Sequence, residues 1–246
     1  MSYETLFGLP SLDACIRTTT RNHLVFVIGP SGGGKSVLLR NAIATHLRSG
    51  RGAIAVLLDE SPDDFIDSLS TLIPREQLIS YLSNKYLKIV DAFTFRSAER
   101  GVIHKRSDFN VRYSNSTNPM DLLDNIKICL EENKTRNLET IVTIDSLNEI
   151  YTSSDPVRTA EFIKYVKALL TRSYNTLVLA TIHADSDNIS GWLKDYMYVA
   201  DGIVLLDIGT DQKGRFFRYF QVKRFRASDH CREPIIYKLE SGRILS

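Results

Sequence analysis

The chain has 246 residues, of which 43% are hydrophobic and 24% are charged, and its formal net charge is +2. These values exclude a disordered chain and fit one α/β domain over residues 1–246. The net charge is too small to indicate nucleic-acid binding by itself. No apolar run reaches roughly 18 residues, so we expect no membrane span. The N-terminal residues lack a signal-peptide pattern, so we expect a cytoplasmic location.

The three cysteines are far apart in the sequence. Cys15, Cys129 and Cys231 form no C-x-x-C pair. This spacing indicates neither a zinc site nor a disulfide framework. We therefore expect reduced thiols, two of them packing residues.

The N-terminal third contains a glycine-rich segment between a strand and a helix. Residues 8–16 predict a turn and a short helix. Residues 24–28 are an apolar run that predicts a buried strand, and residues 38–47 carry apolar side chains at helical spacing. Between them, residues 29–36 match the phosphate-loop pattern G-x-x-x-x-G-K-[ST] at every fixed position.

This loop predicts an ATP site with Mg²⁺. Glycines let backbone N–H groups turn toward phosphate oxygens, and the following helix N-terminus favours anions. Lys35 would bring a positive charge to the β- and γ-phosphates, and the Ser36 hydroxyl would ligate Mg²⁺. The residues predicted to hold the nucleotide are Gly29, Pro30, Ser31, Gly32, Gly33, Gly34, Lys35, Ser36 and Val37.

Residues 53–60 predict a second buried strand, which ends in Asp59 and Glu60. Acids at the carboxyl end of such a strand lie where open α/β sheets bind ligands. One of them could polarise the water that attacks a γ-phosphate. The alternative is that both belong to the acidic first turn of a helix capped by Ser61.

The middle of the chain predicts two more strands and a long loop. Residues 86–93 predict a strand, and residues 94–117 are polar, irregular and basic. A loop of this length could contact nucleic acid or a neighbouring subunit, or could be a solvated loop. After a helix that begins at Pro119, residues 139–147 predict a strand bearing Asp145. An acid there has the Walker B arrangement and would hold the Mg²⁺ hydration shell opposite the phosphate loop.

The C-terminal half predicts a helix, a strand and then hairpins. The helix runs from residue 156 to about residue 172, and the strand at 176–182 leads into His183. His183 lies near a potential γ-phosphate sensor position, although a strand-end or core histidine is the commoner case. The hairpin strands are 202–207, 216–222, 234–239 and 243–245. The basic stretch at 223–230 indicates either a solvated face or arginine fingers that reach a neighbour's ATP.

Six segments, taken in order, resemble the motifs of the KaiC-like branch of the RecA/RadA superfamily of ATPases. They are residues 8–13, 28–36, 58–62, 144–147, 199–202 and 224–230. The resemblance implies a RecA-like α/β fold, with a mostly parallel sheet between helices and antiparallel C-terminal strands. It also implies assembly into a ring, expected to be a hexamer, or a filament, with ATP at subunit interfaces.

The resemblance also implies roles for individual residues. Asp59 and Glu60 would activate water, and Arg224 and Arg226 would reach the γ-phosphate bound by the adjacent subunit. Asp59 stands where the family usually has Glu, so Glu60 is the stronger candidate for the base. In the circadian clock protein of this family, the kinase domain carries a Ser-Thr pair shortly before the motif that resembles residues 199–202. Residues 196–199 lack that pair, so autophosphorylation there is not expected, although Ser186 and Ser190 are nearby.

Three hypotheses follow from these observations. The first is a Mg²⁺-dependent, slow regulatory ATPase that forms a ring and acts on partner proteins. The second is a recombinase paralogue that binds single-stranded DNA through the 94–117 loop and the arginine-rich stretch. The third is an ATP-sensing scaffold that does not hydrolyse ATP.

Overall fold

The computed structural model describes residues 4–18, 20–94, 111–184, 196–226 and 228–245. Within these ranges all ten strands belong to one sheet, in the order β10-β9-β8-β7-β1-β6-β5-β2-β3-β4. The strands are β1 Leu24–Gly29, β2 Gly52–Leu57, β3 Leu87–Asp91, β4 Val111–Tyr113, β5 Thr140–Asp145, β6 Leu177–His183, β7 Gly202–Thr210, β8 Phe216–Phe225, β9 Ile235–Glu240 and β10 Arg243–Leu245.

The sheet is parallel from β7 to β4 and antiparallel from β7 to β10. The central parallel strands are buried on both faces, which explains why their sequences are continuous apolar runs. The mixed α/β class, the mostly parallel centre and the antiparallel C-terminal strands are all confirmed.

Helices cover both faces of the parallel part. They are α1 Pro10–Cys15, α2 Lys35–Arg48, α3 Pro62–Leu69, α4 Arg75–Ser83, α5 Pro119–Lys134, α6 Leu147–Ser153, α7 Pro156–Tyr165 and a π-helical continuation, Val166–Ser173. Helices α1 to α4 pack on one face and α5 to the π-helical segment on the other. Successive residues of β1 alternate between these cores, with Val25 in the first and Phe26 in the second.

Three helices begin with the cap-then-proline pattern seen in the sequence. The caps are Ser61, Asn118 and Asp155, and each side chain accepts a hydrogen bond from a backbone N–H of the first turn. Proline at the first helical position costs nothing, since its missing N–H has no intrahelical partner. These starts are confirmed.

Several boundaries differ from the sequence expectation. Val111–Tyr113, part of the expected 94–117 loop, pairs with β3 as a short edge strand. The strand expected at 139–147 stops at Asp145, because Leu147 already begins α6. The helix expected to about residue 172 continues to Ser173, with its last eight residues π-helical. Most of the basic loop, residues 95–110, lies outside the described residues.

The N-terminal segment packs on α2, and the side chain of Asp13 stabilises the turn within this segment. The partly buried Asp13 carboxylate accepts hydrogen bonds from the backbone N–H groups of Leu6 and Phe7, both at 2.9 Å. Burial raises the pKa of this carboxyl. Gly8 has a φ of 71°, and a Cβ there would lie 1.9 Å from the Thr45 hydroxyl. The segment 8–13 that resembles a family motif is therefore structural.

The expectation of three reduced thiols is wrong for two of them. Cys15 and Cys231 form a disulfide across a sequence separation of 216 residues, and Cys129 is a buried free thiol. Backbone pairing brings the two sites together, since Cys231 N–H donates to Cys15 O at 3.1 Å and Ile16 forms a bridge with His230. Sequence spacing could not reveal this pair because its contact is entirely long-range.

No helix in the described ranges is long and apolar enough to cross a membrane.

Candidate nucleotide site

The glycine-rich loop lies between the end of β1 and the start of α2. Gly32 and Gly34 have φ values of 71° and 90°, in the left-handed region that favours glycine. A Cβ at Gly29 would lie 2.1 Å from the carbonyl oxygen of Leu206 on β7, so only glycine fits there. Helix α2 begins after Gly34 without a side-chain cap. The loop thus combines the backbone freedom and the helix N-terminus that phosphate binding requires.

Lys35 provides a buried cation at the floor of this loop. Its Nζ donates to the carbonyl oxygens of Gly29 at 2.9 Å and Pro30 at 2.7 Å. The side chain is therefore directed into the loop, where phosphate oxygens would be bound. Ser36 follows on the same helix turn and is partly exposed.

Two residues of β9 contact the loop, and the sequence analysis did not predict either contact. The Tyr237 hydroxyl donates to the carbonyl oxygen of Gly33, and burial raises the pKa of Tyr237 to about 12. The side chain of Leu239 lies 3.2 Å from the position that a Cβ on Gly34 would occupy. The antiparallel C-terminal strands therefore fix the phosphate loop, a role that only their position in the sheet reveals.

Asp145 ends β5, which is separated from the loop strand β1 by β6. Its carboxylate accepts a hydrogen bond from the Thr181 hydroxyl, and its backbone oxygen accepts from Leu58 N–H at 2.9 Å. The Asp145–Ser146 peptide bond is cis. Residues 4–18, 20–94, 111–184, 196–226 and 228–245 contain no cluster of three His, Cys, Asp or Glu able to hold a metal alone. A single carboxylate with a serine hydroxyl is nevertheless the donor set that Mg²⁺ uses together with phosphates and water.

Asp59 and Glu60 follow β2, which ends at Leu57, and their surroundings differ. Both oxygens of Glu60 lie 2.7 Å from the same guanidinium nitrogen of Arg40 on α2. Burial nevertheless raises the pKa of Glu60, because the loss of hydration outweighs the attraction of Arg40 and Asp145 adds repulsion. Asp59 is more exposed and its carboxylate lies 3.5 Å from His183 Nε2. Arg40 links Glu60 to the helix that follows the loop, and among the described residues it is Asp64 of the following turn that bonds to the Ser61 cap.

Arg224 and Arg226 lie at the opposite end of the strands from the phosphate loop. Arg224 pairs with Ile203 near the start of β7, whereas the loop follows the end of β1. The guanidinium of Arg224 donates to the carbonyls of Met197 and Ala200, and that of Arg226 to Tyr198 at 2.7 Å. Neither arginine therefore reaches the loop of its own chain.

The segment at 199–202 has a structural role. The buried Asp201 carboxylate accepts from Leu24 N–H at 2.9 Å and forms an ion pair with Lys167. Its backbone oxygen accepts from Arg226 N–H at 2.8 Å. Asp201 therefore joins the starts of β1 and β7. Ser186 and Ser190 lie outside the described residues.

The arrangement defines a class of protein: a nucleotide-binding P-loop ATPase with a RecA-like fold. A family model described as "ATPase: KaiC" matches residues 6–245. The chain therefore belongs to the KaiC ATPase family.

The solved structures agree on the fold. The crystal structure of the KaiC-like protein PH0186 from the hyperthermophilic archaeon Pyrococcus horikoshii OT3 superposes with a TM-score of 0.72 at 16% sequence identity. The match covers 98% of this chain and 97% of that chain. A search of curated proteins finds no match.

Proposed function

We propose that this protein is a Mg²⁺-dependent ATPase with a regulatory role, active as a ring with ATP bound at subunit interfaces. The observation that carries this proposal is the buried Lys35, whose Nζ lies at the floor of a glycine loop and donates to the carbonyl oxygens of Gly29 and Pro30. Family membership supports ATP binding and hydrolysis. Slow turnover is expected if the arginines that complete the site come from a neighbouring subunit.

The residue types of the site suit ATP and Mg²⁺. The loop N–H groups and Lys35 would bind the β- and γ-phosphates, and Ser36 and Asp145 would hold the metal. When bound, Mg²⁺ neutralises charge that develops on the phosphate oxygens. Thr181 orients the Asp145 carboxylate through its hydroxyl.

The proposal is tested by replacing the loop lysine. Lys35→Ala should lower ATP affinity or turnover at least about 100-fold, because the loss removes a charge buried against the phosphates. The matched control is Lys213→Ala, since Lys213 is exposed on the β7–β8 turn. A fluorescent ATP analogue reports binding, and phosphate release reports turnover.

The outcomes separate the three hypotheses. Wild-type protein that binds ATP but releases no phosphate at high protein concentration would be a scaffold. Single-stranded DNA binding that weakens steeply with salt would favour the recombinase-like function. Equal ATP binding by wild type and Lys35→Ala would refute the nucleotide site itself.

A further inference from the structure

Glu60 forms an ion pair with Arg40. The pair is largely buried, with side-chain exposures of 20% for Glu60 and 15% for Arg40. Arg40 lies one helical turn after Ser36 on α2, so the pair links the segment after β2 to the helix that begins at the phosphate loop. A carboxylate held at both oxygens has little freedom to collect a proton from water. Glu60 therefore has a structural role in this arrangement.

Asp59 faces His183 and remains accessible to water. The Asp59 carboxylate oxygen lies 3.5 Å from Nε2 of His183, and the two side chains are 31% and 33% exposed. Among the described residues no protein group bonds to the other ring nitrogen, Nδ1. The imidazole can therefore donate Nε2–H to Asp59 while Nδ1 accepts a hydrogen bond from water.

The backbone of His183 is fixed beside the phosphate loop. His183 is in register with Gly29 on the neighbouring strand, and Ala184 N–H donates to Gly29 O at 3.1 Å. Asn148 holds the peptide from the other side, accepting from His183 N–H at 2.7 Å and donating to His183 O at 3.2 Å. β6 adjoins β1, whereas β2 lies two strands further along the sheet. His183 is thus nearer to the loop than Asp59.

Resting on the ATPase activity proposed above, we propose that His183 accepts the proton of the attacking water and that Asp59 positions its imidazole. The water oxygen bonds to the γ-phosphorus while the bond from that phosphorus to the β–γ bridging oxygen breaks. The electron pair of the broken bond stays with ADP. The water proton passes to Nδ1 of His183 and then to solvent, and inorganic phosphate leaves.

Histidine and aspartate are suited to these roles of proton acceptor and positioning residue. Histidine exchanges protons near neutral pH and is the commonest general base in proteins. A carboxylate that binds one ring nitrogen fixes the tautomer that leaves the other nitrogen free to accept. The same order of acid, imidazole and nucleophile therefore operates here with water as the nucleophile.

The test is the turnover of His183 and Asp59 variants. His183→Ala should lower kcat about 100-fold or more while KM for ATP changes less than about threefold. Added imidazole should restore at least about a tenth of the wild-type rate to His183→Ala, and none to His183→Gln, whose side chain fills the site. Asp59→Asn should slow wild type but should not slow His183→Ala further, because the two residues act as a unit. Asp63→Asn, at an exposed acid of α3, is the matched control.

Each result decides the proposal. ATP binding by every variant, measured with the fluorescent analogue, shows that it is folded. Wild-type turnover with undiminished turnover of His183→Ala overturns the histidine assignment and leaves the proposed ATPase intact. Loss without imidazole rescue, or an additive effect of Asp59→Asn, also overturns it. Wild-type protein that binds ATP without any turnover removes both proposals.

Discussion

Burial sets the chemistry of single residues in this protein, and His46 shows it most clearly. His46 lies on α2 with 1% of its surface exposed, and its Nδ1–H donates to Ala42 O at 2.8 Å. Its Nε2 is buried and has no hydrogen-bond partner among the described residues. Burial, aided by the charges of Arg21 and Arg51, lowers the pKa of His46 from 6.5 to about 4. The folded state therefore holds this histidine neutral.

We expect His46 to make the fold less stable in mild acid. Between pH 6.5 and about 4 the unfolded chain binds a proton that folded His46 does not, so the free energy of unfolding falls as pH falls. The loss approaches about 3 kcal/mol below pH 4, at 1.36 kcal/mol for each pKa unit. Urea denaturation at a series of pH values measures it. His46→Gln should remove this part of the slope, whereas His230→Gln, at a partly exposed histidine, should retain it; equal slopes for all three proteins would refute the argument.

At the scale of elements, residues distant in sequence hold the N- and C-terminal segments together. Residues 4–18 pack on α2 through Asn41, whose side chain donates to Phe7 O at 2.8 Å. The same segment meets the stretch after β8 through the Cys15–Cys231 disulfide and the Arg17–Asp229 backbone hydrogen bond of 3.1 Å. A crosslink that closes so long a loop restricts the unfolded chain strongly.

Reduction should therefore lower thermal stability. Losing this disulfide should cost about 2–5 kcal/mol, because the unfolded chain regains the freedom of a long loop. Dithiothreitol should lower the Tm of wild type and of Cys129→Ala but should not change the Tm of Cys231→Ser. Alkylation followed by mass spectrometry provides the direct check. Three reactive thiols in unfolded, unreduced wild-type protein would contradict the disulfide.

In the folded chain, the phosphate loop and the candidate arginine fingers lie at opposite ends of the strands. Val25 is in register with Gly202, and Gly29 lies four residues further along β1, which corresponds to about 13 Å at 3.3 Å per residue. Arg226 lies beyond Gly202, on the side away from the loop. An arginine there can complete a nucleotide site only on another copy of the chain. Its exposure fits such a role better than that of the half-buried Arg224.

A mixing experiment tests this arrangement. Arg226→Ala alone should abolish turnover with ATP binding near normal, and Lys35→Ala alone should be inactive. An equimolar mixture should regain about a quarter of the wild-type rate, because half of the sites keep Lys35 and half of their neighbours keep Arg226. Arg232→Ala, at an exposed arginine nearby, should stay active. A mixture that remains inactive although light scattering shows mixed oligomers would exclude the trans arginine.

The sequence by itself determined the parallel sheet, the phosphate loop and most helix starts. These features depend on local patterns: continuous apolar runs, glycines at fixed positions, and capping residues followed by proline. The sequence also predicted Asp145, Asp59 and Glu60 at the same end of the strands as the loop, because parallel strands all run in one direction.

Only the tertiary structure decided which side chains meet. The brace of Tyr237 on Gly33 and the Cys15–Cys231 disulfide each join residues about 200 or more positions apart. The division between Glu60, bound by Arg40, and Asp59, facing His183, depends on the directions of side chains from three different elements. Such contacts leave no periodic signal in the sequence, because the physical forces that select them act only once the sheet has brought the elements together.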